Sequence, residues 1–235
     1  MSMKSGQDNE EQRIRDAIQS SKVTEVLNIA ISYKSIIDQL IQSVTANMCE
    51  KNFVIFNVLR KLNTYLHCLA SSLTEPTEQI AFATRSILDL NIIARYVLTS
   101  EERQKLFLAE ALEDEIEICR CLSKLPEKPG VSKEVLGESI NRIKDIAQQD
   151  NLPLGKRTGI KTMAKDSGLS QEYEAYNKLL SKYVHPSSYT IISHPRTIHN
   201  DIIRKSFVFL ALLKTHDTIK LIEEQCKKEA TNNTH

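Results

Sequence analysis

The chain has 235 residues, with 31 Lys and Arg against 30 Asp and Glu and a formal charge of +1. That length suits one large domain with a proper core. The charge balance excludes a global electrostatic pull on nucleic acid or anionic lipid, so any such binding has to come from a local patch.

Trp is absent, and the chain holds only six Gly and six Pro. So few breakers favour helices over a turn-rich β fold. The first eleven residues are polar and acidic and lack the apolar stretch of a signal peptide. Arg85, Asp89, Arg95, Lys205 and Lys214 interrupt the longest apolar runs, so no bilayer span is expected, and a cytoplasmic location is the expectation. The five cysteines, Cys49, Cys68, Cys119, Cys121 and Cys226, are odd in number and scattered, which argues for reduced thiols. Cys119 and Cys121 would point to different faces of a helix and cannot chelate zinc on their own.

The predicted fold class is all-α, a single-domain helical bundle of about six to seven helices over residues 11–230, between disordered tails at 1–10 and 231–235. Apolar positions from Val26 to Val44 recur at spacings of three and four and predict a helix over about 11–46, with room for a break at Ser20-Ser21. A second helix is predicted over about 51–72, and Glu75-Pro76 ends it, with Thr74 as the expected cap of the next. The third, about 76–98, is the most hydrophobic. Thr99 and Glu102 have capping-box spacing and open a fourth to about Leu122. After a loop at Pro126, Pro129 and Gly130, Ser132 caps a fifth helix to about Gln149. Residues 150–168 are irregular and basic, with room for a short helix. A sixth helix is predicted over about 170–183 and a last one over about 197–228.

Three features carry candidate chemistry. The third helix is apolar on nearly all sides, so it is expected to be buried. Arg85 and Asp89, four apart, share one of its faces. They read either as a buried ion pair fixing register, or as an anion-holding Arg oriented by Asp89.

The second feature is the segment Ser181-Lys182-Tyr183-Val184-His185-Pro186-Ser187-Ser188. His185 stands where a helix must end before Pro186. His194, Arg196 and His199 follow, so four of the six histidines fall between positions 185 and 216. Histidine changes charge near neutral pH and ligates metals. His185, His194, His199 and Asp201 are therefore weighed as metal ligands. Their spacing matches no zinc motif, so no metal and no cofactor is expected. The candidate ligand-binding set is Arg85, Asp89, Tyr183, His185, Ser187, Ser188, His194, Arg196 and His199, with Arg85 and His185 as the candidate catalytic pair. The alternative is a polar turn in which Ser187, Ser188 and either Thr197 or Asn200 cap helix ends.

The third feature is the loop holding Lys156, Arg157, Lys161 and Lys165 near Gly155 and Gly159. Asp150 stands where a Walker loop needs Gly, and the strand–helix alternation of a nucleoside triphosphatase is missing. The loop reads as solvated, or else as a mobile lid or a phosphate-contact loop. The acidic run Glu113, Asp114, Glu115 and Glu117 reads as a solvated helix face.

The pieces Arg85-Ser86-Ile87-Leu88-Asp89 and Ser181 to Pro186 resemble a bacterial family of uncharacterised all-helical proteins, over about residues 30–225. The chain is more distantly similar to the HEPN superfamily. That resemblance implies a small helical bundle, a dimer, and metal-independent cleavage of RNA by an Arg and a His four to six residues apart. Here Leu179 and Leu180 occupy the stretch where that Arg would stand. Arg60 and His67 lie seven apart on the second helix, a different element from the one that superfamily uses.

Two functions are carried forward. One is a helical binding or interaction module with a polar Arg/Asp/His pocket for a small anionic ligand or a protein partner, with a homodimer as a further candidate. The other is a metal-independent HEPN-like ribonuclease, for which RNA is the partner.

Overall fold

The computed structural model describes residues 3–46, 50–126, 132–185 and 201–232. Among them the chain forms nine helices and no strand: α1 Met3–Gln19, α2 Val23–Ala46, α3 Glu50–Ser71, α4 Thr77–Val97, α5 Glu101–Leu122, α6 Lys133–Gln149, α7 Gly159–Asp166, α8 Ser170–Val184 and α9 Asp201–Asn232. No described helix is long and apolar enough to cross a membrane.

The helix count exceeds the expected six to seven for two local reasons. At Ser20-Ser21 the chain does break. Ser21 takes φ +58°, a left-handed turn that ends α1 and lets α2 restart at Val23. The irregular basic segment contains α7, whose Met163 and Ala164 are buried. Gly168, at φ +73°, stops α7 and lets the Leu169 amide reach back to the Ala164 carbonyl at 2.8 Å. The N-terminal stretch also differs from expectation. α1 begins at Met3, and the Tyr33 hydroxyl donates to Glu10 Oε1 at 2.8 Å, tying α1 to α2.

The caps correct two readings and agree with a third. Ser132 accepts from the Val135 amide at 3.3 Å, as its position before α6 implies. At α5 the cap is Ser100, which accepts from the Arg103 amide at 3.3 Å, one residue beyond the expected Thr99. At α4 the capping position falls on Pro76 and makes no side-chain cap, so Thr74 does not play that part. Arg204 of α9 holds the turn instead, donating to the Leu73 carbonyl at 2.8 Å and the Glu75 carbonyl at 2.5 Å.

α4 lies at the centre and touches α3, α5, α7, α8 and α9. Thirteen of its 21 residues are buried, which explains why its sequence lacks a broad polar face. Ile80, Ile87, Leu88 and Ile92 are at most 1 % exposed. Truncating any of them to Ala would cost about 2–5 kcal/mol. Thr84, fully buried, satisfies its hydroxyl on the Ile80 carbonyl at 2.8 Å and the Phe207 carbonyl at 3.2 Å, so α4 and α9 share a polar contact inside the core.

α8 packs on α4 through Tyr173, Leu180 and Tyr183, whose spacing of seven and three places them on one face. Tyr183 meets Phe207 of α9 edge-on at 5.3 Å. α8 ends at Val184 because His185 precedes Pro186 and adopts extended backbone, φ −110° and ψ 143°.

Candidate functional site

The end of α8 delivers His185 to Arg85 on α4. Arg85 Nη1 lies 3.3 Å from His185 Nε2 across 100 residues of sequence. A guanidinium only donates, so Nε2 accepts here and the ring carries its proton on Nδ1. Arg85 is half-buried and His185 is exposed, so the pair stands at the surface with its guanidinium leaning on the bundle.

Asp89, one turn along α4, does not form the ion pair with Arg85 that the spacing invites. Among the described residues no carboxylate stands within ion-pair distance of Arg85, and the Oδ1 atom of Asp89 is buried without a hydrogen-bond partner. Burial raises the Asp89 carboxyl to about pKa 6, with the nearby Arg85 charge pulling in the other direction. Tyr173 of α8 is buried in the same neighbourhood. Burial raises its phenol and the Asp89 charge raises it further, while Arg85 opposes both. The result is one cation at the surface, one acid withdrawn beneath it, and an imidazole beside the cation.

Other candidate residues fall elsewhere. Tyr183 is 2 % exposed and packs against Phe207 in the core. Asp201 pairs with Lys205 at 2.6 Å on α9. Ser187, Ser188, His194, Arg196 and His199 lie outside the described residues. Among the described residues no group of three or more His, Cys, Asp or Glu is placed to hold a metal ion. Cys119 is buried and Cys121 exposed, on different faces as the helical spacing requires.

The basic loop is docked on its neighbours through Arg157, Thr158 and Lys161. Arg157 bonds Glu117 and lies 3.2 Å from Asp114, and the Thr158 amide donates to Glu110 at 3.2 Å. Lys161 pairs with Glu174 at 3.2 Å, and Arg103 of α5 reaches Asp166 at 3.8 Å. The acidic run on α5 is thus partly a docking strip for the loop, beyond the solvated face its composition suggests.

One polar cluster escaped the sequence reading. Lys214 of α9, with a side chain 7 % exposed, reaches Glu172 of α8 at 2.7 Å and Asp217 at 3.5 Å. Asp217 also faces Arg95 of α4 at 3.7 Å. Asn91 donates to Thr218 at 3.0 Å and accepts from Arg95 Nε at 3.3 Å. This network joins α4, α8 and α9 just beside Tyr173 and fixes the start of the helix whose end carries His185. The readable signal was a lysine inside the apolar run of α9 with an acid three residues on.

These features define an all-helical bundle in which a central, buried helix brings a surface Arg to the imidazole at the end of a neighbouring helix. The chain belongs to a family of unknown function, DUF5677, whose model matches residues 62–201. That span contains both Arg85 and His185. Comparison with curated proteins and with solved structures gives no match.

Proposed function

We propose that the chain is a binding module that recognises an anionic, phosphate-bearing ligand through Arg85 and His185. The observation that carries this reading is the Arg85–His185 contact at 3.3 Å with no carboxylate paired to Arg85 among the described residues. Arginine stays charged under all ordinary conditions. A half-buried guanidinium held beside a neutral ring, with its natural partner Asp89 withdrawn, has its charge left for an outside anion. His185 stands beside it as a second polar group for the ligand.

A second reading is favoured by the ring nitrogen itself. An imidazole touching a guanidinium supplies the acid–base group and the cation that cleavage of RNA without metal requires. Phosphate binding would draw the Arg85 N–H away from Nε2. His185 would then take the proton of the 2′-hydroxyl as that oxygen attacks the adjacent phosphorus. Arg85 would meet the charge growing on the non-bridging oxygens. The bond from phosphorus to the 5′-oxygen would break, and the leaving oxygen would take the proton back from the imidazolium. The products would be a 2′,3′-cyclic phosphate and a 5′-hydroxyl. Here the Arg and the His come from different helices.

The test is binding and cleavage of single-stranded RNA in EDTA by wild type, Arg85→Ala and His185→Ala, with circular dichroism as the fold control. Binding that falls roughly tenfold or more in folded Arg85→Ala, without cleavage, supports the binding module. Cleavage lost in both folded variants supports the ribonuclease. Wild type that neither binds nor cleaves RNA, and binds no inorganic phosphate, overturns both.

A further inference from the structure

A second candidate site shares α4 with the first, which supplies Ile80 to it and Arg85 to the other. A cavity of about 110 Å³ opens where the α1–α2 break, the α3–α4 turn and the start of α9 meet. Its floor is apolar: Ile18, Val26, Ile80 and Val208 are each at most 8 % exposed. Among the described residues its wall carries the cations Lys22, Arg204 and Lys205 and one acid, Asp201.

These cations are not equivalent. Lys205 is matched by Asp201 at 2.6 Å, and Lys22 by Glu25 at 3.3 Å. Arg204 has no carboxylate partner among the described residues. It donates to the Leu73 and Glu75 carbonyls and lies 3.5 Å from the Thr77 hydroxyl. Those acceptors are neutral, so the guanidinium keeps its full charge at the cavity wall. They engage its two terminal nitrogens, and no described residue engages its Nε–H. The first turn of α2, with Val23 and Val26, adds the positive end of a helix dipole to the same wall, offset in part by Glu25 in that turn.

We infer that this cavity binds a short-chain aliphatic monocarboxylate, its tail on the Ile80–Val208 floor and its carboxylate on Arg204. The volume limits how much of the chain is buried. A cavity of roughly 150 Å³ takes a six-carbon ring, so this one takes about four carbons. A bare hydrocarbon would leave the Arg204 charge unmet, and a bare inorganic anion would leave the apolar floor wet. A molecule with one apolar and one anionic end satisfies both.

The experiment is a titration of the full chain with butyrate, read by methyl NMR shifts of Ile80 and Val208, with butyramide as the uncharged isostere. Val23 is 42 % exposed at the cavity rim, so Val23→Trp fills the opening without disturbing the core. Expected are saturable shifts with butyrate, binding of butyramide roughly tenfold weaker, and loss of the shifts in Val23→Trp. Arg85→Ala should leave butyrate binding unchanged, which separates this site from the Arg85–His185 pair. Equal binding of butyramide, persistence of the shifts in Val23→Trp, or no saturable shift in wild type would each overturn the assignment.

Discussion

Lys214 of α9 reaches Glu172 of α8 at 2.7 Å from a site where its side chain is 7 % exposed. A buried cation held this way is balanced only while its acids stay in place. Replacing Lys214 by Met leaves Glu172 and Asp217 facing each other across an apolar contact. We expect Lys214→Met to lower stability by about 3 kcal/mol, measured by urea unfolding. The companion change Glu172→Gln in the Lys214→Met background should recover part of that loss. A single variant as stable as wild type would show that the network adds nothing to the fold.

Asp89 should make the protein less stable as pH rises. Its folded carboxyl titrates at about 6, above the ordinary carboxylate range of the unfolded chain. Below that ordinary range both states hold the proton, and the residue is neutral to stability. Between it and about 6 the unfolded chain releases the proton while the folded chain keeps it, so stability falls. Above about 6 the loss is complete, at roughly 2 to 3 kcal/mol. Asp89→Asn should therefore raise the melting temperature at pH 8 and leave it nearly unchanged at pH 3. A variant with the same gain at both would disprove the titration.

His216 acts in the opposite sense. It is 9 % exposed, lies 6.0 Å from the Tyr33 ring, and burial lowers its pKa below 6.5. The unfolded ring takes up a proton first as pH falls. Its contribution is present above about 6.5 and is lost below it. In wild type the two groups act in opposite directions on mild acidification. Asp89→Asn should then expose a steeper acid loss, and adding His216→Gln should flatten it. Melting curves from pH 7 down to 5 give the comparison.

Arg157 tests the loop. Its contacts to Glu117 and Asp114 are exposed, so Arg157→Ala should scarcely move the melting temperature. Hydrogen exchange of the Thr158 amide should quicken, because the Glu110 contact depends on the loop staying docked. Raising the salt concentration on wild type should imitate the variant. Unchanged exchange in both would show that the loop is held by its apolar residues alone.

Much of the fold was readable from periodicity. The apolar character of α4 on nearly all sides announced its central place, and Ser132 and the Ser20-Ser21 break announced helix ends. The additional helix α7 was harder, because eight residues hold barely two turns and their burial comes from tertiary contacts. The shift from Thr99 to Ser100 and the use of Arg204 at the α3–α4 turn follow from backbone geometry and a partner 127 residues away that local rules do not see. At the site, spacing placed Arg85 beside Asp89 and was misleading about their pairing. Sequence could name Arg85 and His185 separately. Only the packing of α8 on α4 brings them together.

The docking of Arg157 on α5 bears on how the chain would meet a polyanion. Each phosphate neutralised by a basic side chain releases counterions and steepens the fall of affinity with salt. Arg157 and Lys161 already have carboxylates as neighbours, so they displace few ions from an incoming strand. Contact through Arg85 would then give a shallow logarithmic salt slope, near one. Such a ligand would be gripped at a point, and its affinity would survive ionic strengths that strip most nucleic-acid-binding proteins from their targets.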